Sequence, residues 1–283
     1  MFDGYTCLPC VFSEFVKAVN RNFTEKKDKE RAMRSFFNHM AQADYDQSPP
    51  ELVADSHRVI RSILGIKDPY REIKEEFNEK MLARYGDFED LVKSSEDPFD
   101  AAARLAVAGN IIDYGPGKPF DVEATLSRAL SEDFAVDQIA DLKEVLGRAE
   151  TVLYLGDNTG EIVLDKLFIE TIDHPNLFFA VRGKPVINDA TVQDAIMVGM
   201  DKSAKLIDNG HDAPGTLLEN TSAEFLEIFK NADLIISKGQ GNLESLWGKT
   251  DKTLYFMLMA KCDLVADHLG VKNGDMVVMR HMP

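Results

Sequence analysis

The second half of the chain alternates short apolar runs with longer amphipathic stretches, and that alternation leaves few folds open. Residues 151–155 (Thr-Val-Leu-Tyr-Leu) run into Gly156; 177–181, 205–207 and 234–236 repeat the form, and 253–257 and 276–279 are further candidates. Each run is strand-length and lacks polar alternation, as expected of strands buried on both faces. Helical patterns separate most of them. Strands alternating with helices predict a mainly parallel sheet with helices on both sides.

The first half reads as helices. Leu8, Val11, Phe12, Phe15, Val16 and Val19 follow helical spacing over 8–22, and a charged run over 25–34 leads into Phe36, Phe37 and Met40. The stripe of Phe12, Phe15 and Phe36 is expected in the core. Ser48-Pro49-Pro50 marks a break followed by a helix start. Residues 51–64, 69–85 and 98–112 each show one apolar face. After the turn cluster Gly115-Pro116-Gly117-Lys118-Pro119, two more helices are expected near 121–130 and 137–147. The predicted class is α/β: a helical bundle with its connection over 1–150, then a sheet domain over 151–283.

Charge excludes several partners. Lys and Arg total 32 against 48 Asp and Glu, a formal net charge of −16. No Lys/Arg cluster is long enough to neutralise several phosphates, so neither nucleic acid nor an anionic membrane surface is an expected partner. A phosphorylated substrate would need a metal or a few placed cations to overcome this field. No run of 18 apolar residues occurs, and the start of the chain lacks the basic and apolar regions of a signal peptide. With only three cysteines, a reducing, cytoplasmic setting is expected.

In an open parallel sheet, ligands bind beyond the carboxyl ends of the strands. Three loops satisfy that rule: Gly156-Asp157-Asn158-Thr159-Gly160-Glu161, the stretch 182–191 from Arg182 through Asn188-Asp189-Ala190-Thr191, and Ser237-Lys238-Gly239-Gln240-Gly241-Asn242. Asp157, Asn158 and Asp189 offer oxygen ligands to one divalent cation (Mg, Mn, Co or Ni) while leaving positions for water and phosphate oxygens. Lys238 would hold the phosphate as a point charge, and the amides of Gly239 to Gly241 would add hydrogen bonds. Taken singly, Asp157-Asn158 reads equally as a helix cap and Lys238 as a solvated lysine. The dinucleotide fingerprint, the Walker loop and the G-x-S-x-G elbow are all missing from the sequence.

Five segments carry a family resemblance: Cys7-Leu8-Pro9-Cys10, Gly109-Asn110-Ile111-Ile112-Asp113, Gly156 to Glu161, Asn188 to Thr191, and Lys238 to Asn242. Together, and in this order over nearly the whole chain, they resemble the DUF89 family of metal-dependent damage-control phosphatases, with Cys-x-x-Cys similar to its stand-alone branch. The resemblance implies a helical bundle joined to a three-layer α/β/α sandwich. It also implies a divalent metal on Asp157, Asn158 and Asp189, and hydrolysis of phosphomonoesters of sugars and related, damaged metabolites. Asn110 and Asp113 would face the pocket, Asn110 orienting phosphate or hydroxyls; Arg182 and Lys184 precede the second metal motif. Either a water or Asp157 would attack phosphorus.

Two other readings are weighed. Residues 152–157 superficially match a strand and loop that cradle S-adenosylmethionine, and a non-catalytic metal or metabolite module would use the same loops. Cys7 and Cys10 read as a redox pair, half a zinc site or two half-buried packing residues; Cys262 reads as core. The six histidines are scattered, with His211 a candidate for the pocket rim, and Trp247 as packing or a sugar platform.

Overall fold

The computed structural model describes Phe2, residues 4–109 and residues 130–282. Helices α1 (Gly4–Asn22), α2 (Lys26–Met40), α3 (Pro49–Leu64), α4 (Arg71–Leu82), α5 (Tyr85–Ser94) and α6 (Pro98–Gly109) come first. Pro49 and Pro50 occupy the first positions of α3, where a missing N–H costs nothing, and Gly65 ends it in the left-handed region at φ 69. Val11, Phe15, Phe36, Leu52 and Ile60 join α1 to α3 in a core of their own. Phe12 departs from the expected core: it is 38% exposed, although its ring still lies against Phe36 and Phe37. It sits at the edge of the helical stripe, where packing covers one side of the ring only.

The sheet then forms from β1 (Val136–Asp137), β2 (Val152–Leu155), β3 (Leu177–Val181), β4 (Lys205–Asp208), β5 (Leu234–Lys238), β6 (Leu254–Met259) and β7 (Met276–His281). Between them run α7 (Ile139–Leu146), α8 (Glu161–Ile172), α9 (Val192–Met197), α10 (Ala223–Asn231), α11 (Gln240–Leu246) and α12 (Asp263–Leu269). The strand order is β1-β7-β6-β5-β2-β3-β4, parallel throughout except where β7 runs antiparallel to β6. Successive side chains of a strand point to opposite faces. Val152, Tyr154, Leu234 and Ile236 therefore meet α6, α7 and α8, whereas Leu153, Leu155, Ile235 and Phe256 meet α10, α11 and α12. These are the three layers.

Two details extend the sequence reading. Helix α6, from the helical half, lies against α8 in one layer of the sandwich, and β1 joins the sheet well before residue 151. The expected helix near 121–130 lies largely outside the described residues. Trp247 packs, with its ring stacked on His281 and Phe256 and edge-on to His268.

The order also fixes where a ligand can sit. From β2 the chain steps outward to β3; from β5 it steps the other way to β6. Neighbouring strands whose connections diverge leave a crevice at their carboxyl ends. Here the crevice opens between Asp157, after β2, and Lys238-Gly239, closing β5.

Candidate active site

The first two loops are laced together. Asp157 accepts a hydrogen bond at its carbonyl from the Ala190 amide (2.8 Å), and the Thr159 amide donates to the Asn188 carbonyl (2.9 Å). Asn158 and Asp189 face each other as an antiparallel bridge. Asp157-Asn158 and Asp189, separated by 31 positions from Asn158 to Asp189, are thus brought together. Gly156 makes the turn possible, since a Cβ there would lie 2.6 Å from the Phe179 ring.

Arg182, which ends this stretch of sheet, is buried and forks between the carboxylates. Its Nε donates to Asp189 Oδ2 (2.6 Å), Nη2 to Asp157 Oδ1 (3.2 Å) and Nη1 to Asn242 Oδ1 (3.0 Å). Asn158 Nδ2 donates to Asp157 Oδ2 (2.8 Å) and Glu161 Oε2 (3.2 Å). Even so, the site is over-charged with acid. Burial, followed by the charges of Asp189 and Glu161, pushes the Asp157 carboxyl up to about 8. Burial also raises Asp189, against the pull of Arg182. Closely spaced carboxyls held this far from water are the donor set a dication relieves. The oxygen-only chemistry of Asp157, Asn158 and Asp189 fits a hard divalent ion.

Lys238 corrects an expectation. It is 0% exposed, and its ammonium donates to Glu161 Oε1 (2.7 Å), the Ala106 carbonyl (2.8 Å) and Asp165 Oδ1. Burial opposes the charge, but Asp165 and Glu161 outweigh it and hold the lysine protonated. An ammonium has three N–H donors, and all three are committed, so Lys238 orients Glu161 beneath Asn158 rather than standing free for phosphate.

In the third loop one of the expected donors is already used. The Gly239 amide donates to the Met257 carbonyl (3.1 Å) and so is not offered to a ligand. What Gly239 supplies is space: at φ 79, a Cβ would fall 2.0 Å from Asp157 Oδ2. Gly241 similarly admits the Pro214 carbonyl, 1.9 Å from where its Cβ would be. Asn242 is buried and bound at both ends, by Arg182 and Thr216 at Oδ1 and by donation to the Lys238 and Gly156 carbonyls. It fixes Arg182 and the loop instead of facing a substrate. Asn110 and Asp113 lie outside the described residues. Lys184 is exposed, its amide donating to the His211 carbonyl.

Lys261 was missed. It follows β6 by two residues, is exposed, and its positive charge pulls down on Asp157. Gln240 Oε1 accepts from its backbone amide (3.1 Å). The rule that selected the other loops, polar residues just past a strand, finds it once the strand expected over 253–257 is carried on to Met259. Cys262 is half-buried, with Gln240 Nε2 3.5 Å from its sulfur.

The remaining candidates fall elsewhere. Cys7 is half-buried but Cys10 is exposed, which corrects the half-buried pair, and among the described residues no disulfide forms. No group of three or more His, Cys, Asp or Glu among the described residues is arranged to hold a metal, so Cys7 and Cys10 find no further zinc ligands there. His211 is half-buried beside Arg58 and Glu51, where α3 meets the loop after β4.

Known proteins resemble this chain over most of its length. Residues 4–277 match the family model of the damage-control phosphatase ARMT1-like domain. A damage-control phosphatase of Pyrococcus horikoshii is 34% identical over 283 residues, covering 98% of this chain and 97% of that protein. One from Archaeoglobus fulgidus is 37% identical over 228 residues, 78% of each chain. The crystal structure of a DUF89 family protein from P. horikoshii superposes with a TM-score of 0.89 at 32% identity, covering 99% of both chains.

Proposed function

Since this chain belongs to the damage-control phosphatase ARMT1-like family, we propose that it hydrolyses phosphomonoesters of small phosphorylated metabolites with a divalent cation held by Asp157, Asn158 and Asp189. The observation that carries this reading is the meeting of two buried carboxyls and one amide at the bridged loops, with Asp157 raised to about 8. A bound dication there supplies Lewis-acid polarisation of the phosphoryl oxygens and a more acidic water.

The chain's own residues do the rest. Arg182 holds Asp157 and Asp189 at fixed separation through its fork. Lys238 and Asp165 fix Glu161, which in turn holds the Asn158 amide nitrogen, so that the Asn158 oxygen faces away from it. Lys261, exposed just past β6 and close enough for its charge to act on Asp157, is the cation proposed to receive the phosphoryl group. Asn110 and Asp113, outside the described residues, keep the substrate-contact role that the family resemblance implies for them. Water is the nucleophile in this reading, with Asp157 held by Arg182 and Asn158 and keeping a lone pair on each oxygen for the cation.

The test is a phosphate-release screen of the purified protein against sugar phosphates, nucleotides and phosphorylated cofactor intermediates, repeated with Mg²⁺, Mn²⁺, Co²⁺ and Ni²⁺. Release that depends on the added metal and stops with chelator is expected. Cation binding without release from any substrate would favour the non-catalytic module.

A further inference from the structure

Helix α4 has a charged, mostly exposed sequence, Arg-Glu-Ile-Lys-Glu-Glu-Phe-Asn-Glu-Lys-Met-Leu, yet buries Lys74 and Asn78. Four residues apart, they lie on one face of the helix. Burying a lysine and an asparagine is costly unless each is bonded. Each is: Asn78 bonds the first loop directly, and Lys74 reaches the second through Asp194 of α9.

Asn78 Oδ1 accepts the Gly160 amide at 2.7 Å. Gly160 is the residue from which α8 starts, at φ 78, and has no side chain to cap that helix. Asn78 therefore caps it from 82 positions away. The other end of the same side chain, Nδ2, lies 3.8 Å from Met197 Sδ at the end of α9, the helix that follows the second loop. Lys74 forms an ion pair with Asp194 Oδ2 (2.7 Å) and donates to Asp68 Oδ2 (3.2 Å). The same Asp194 oxygen accepts the Thr191 amide (2.8 Å) and hydroxyl (2.6 Å), which places Lys74 two bonds from the residue after Ala190. A third contact acts on that loop: Ile187, a β-branched residue at φ 41, keeps this disfavoured backbone while packed against the core of α1 to α3.

We propose that α4 sets the separation of Asp157-Asn158 from Asp189, with Asn78 and Lys74 as positioning residues that touch neither substrate nor cation. The helical half is then part of the cation site's scaffold, one turn of α4 spanning both loops. This rests on the cation reading of those loops. Outer-shell partners of metal ligands are commonly worth 10- to 100-fold in affinity.

The test uses the full-length protein, stripped of metal, titrated with Mn²⁺ and followed by electron paramagnetic resonance, together with amide hydrogen exchange at Gly160 read without metal. The wild type is titrated first. N78A should weaken Mn²⁺ roughly tenfold or more, raise exchange at Gly160, and lower kcat with KM little changed. N78D keeps an acceptor oxygen and should restore both binding and protection; K74M should weaken Mn²⁺ without exposing the Gly160 amide. Wild-type Mn²⁺ affinity in N78A, or equal loss in N78A and N78D, overturns the proposal while leaving the phosphatase reading intact. A wild type that binds no Mn²⁺ overturns the cation reading, and this use of α4 with it; the Gly160 exchange then reports the cap alone.

Discussion

Gly239→Ala is the sharpest perturbation of the site that leaves every ionisable group in place. Two costs add. At φ 79 and ψ 163 the backbone lies in a region open essentially to glycine alone, which an alanine opposes by about 1–3 kcal/mol. The new methyl would also sit 2.0 Å from Asp157 Oδ2 and 2.4 Å from its Cγ, against an ordinary contact distance beyond 3.4 Å. Either the loop or the carboxylate must move by more than 1 Å. Misplacement of this size in a reacting constellation costs on the order of 10²-fold. Gly248→Ala provides the control: it has φ 67 but nothing within 4 Å of its Cβ. Both variants should lower Tm by a few degrees, about 2–4 °C per kcal/mol for a chain near this size. Only G239A should lose metal-dependent phosphate release, by about 100-fold, and bind Mn²⁺ weakly. If G239A matches G248A in activity, the packing of Asp157 against β5 is irrelevant to function and the geometric argument fails.

Other outcomes follow from the same site. K261A should raise KM for a phosphorylated substrate roughly tenfold, as expected for loss of one charge-assisted contact, with Mn²⁺ affinity unchanged; an unchanged KM would remove Lys261 from the site. Asp157 titrates higher in the fold than in the unfolded chain. Its protonated form therefore stabilises the metal-free protein fully below about pH 4, and that contribution is lost as pH rises towards 8. Thermal melts of metal-free protein should fall over this range, and the stabilisation from added Mn²⁺ should grow with pH; a flat difference would refute the titration. A net charge of −16 repels a phosphate, so kcat/KM at fixed metal should rise with moderate salt as the field is screened, measured between about 20 and 150 mM.

Legibility followed the reach of each interaction. Strands β2, β3, β5 and β6 were visible because burial on both faces leaves uninterrupted apolar runs such as Val152 to Leu155, and the edge strand β4 by its short Leu206-Ile207 run. Strand β1 was not, because two residues carry no pattern and its pairing with β7 joins positions about 140 apart. Helix α5 buries only Phe88 and Val92, too little to stand out. In the candidate site, the Asp157-Asn158 and Asp189 loops were legible as polar residues directly past strands. Lys238 fits that same rule, yet its partners Glu161 and Asp165 come from α8, one turn apart on a face the sequence shows only as alternating acids. Arg182 was visible as a cation but not as the fork between Asp157 and Asp189. Asn78 was not visible at all: nothing local distinguishes it from the charged residues around it, and only the fold brings it to Gly160.

The central claim concerns Asp157, Asn158 and Asp189 as a cation site that releases phosphate. Its most direct test is Mn²⁺ titration and metal-dependent phosphate release measured side by side in wild type, D157A and D189A, with circular dichroism to establish that each is folded. The expected result is folded variants that neither bind Mn²⁺ tightly nor release phosphate. Full activity in either variant would contradict the account.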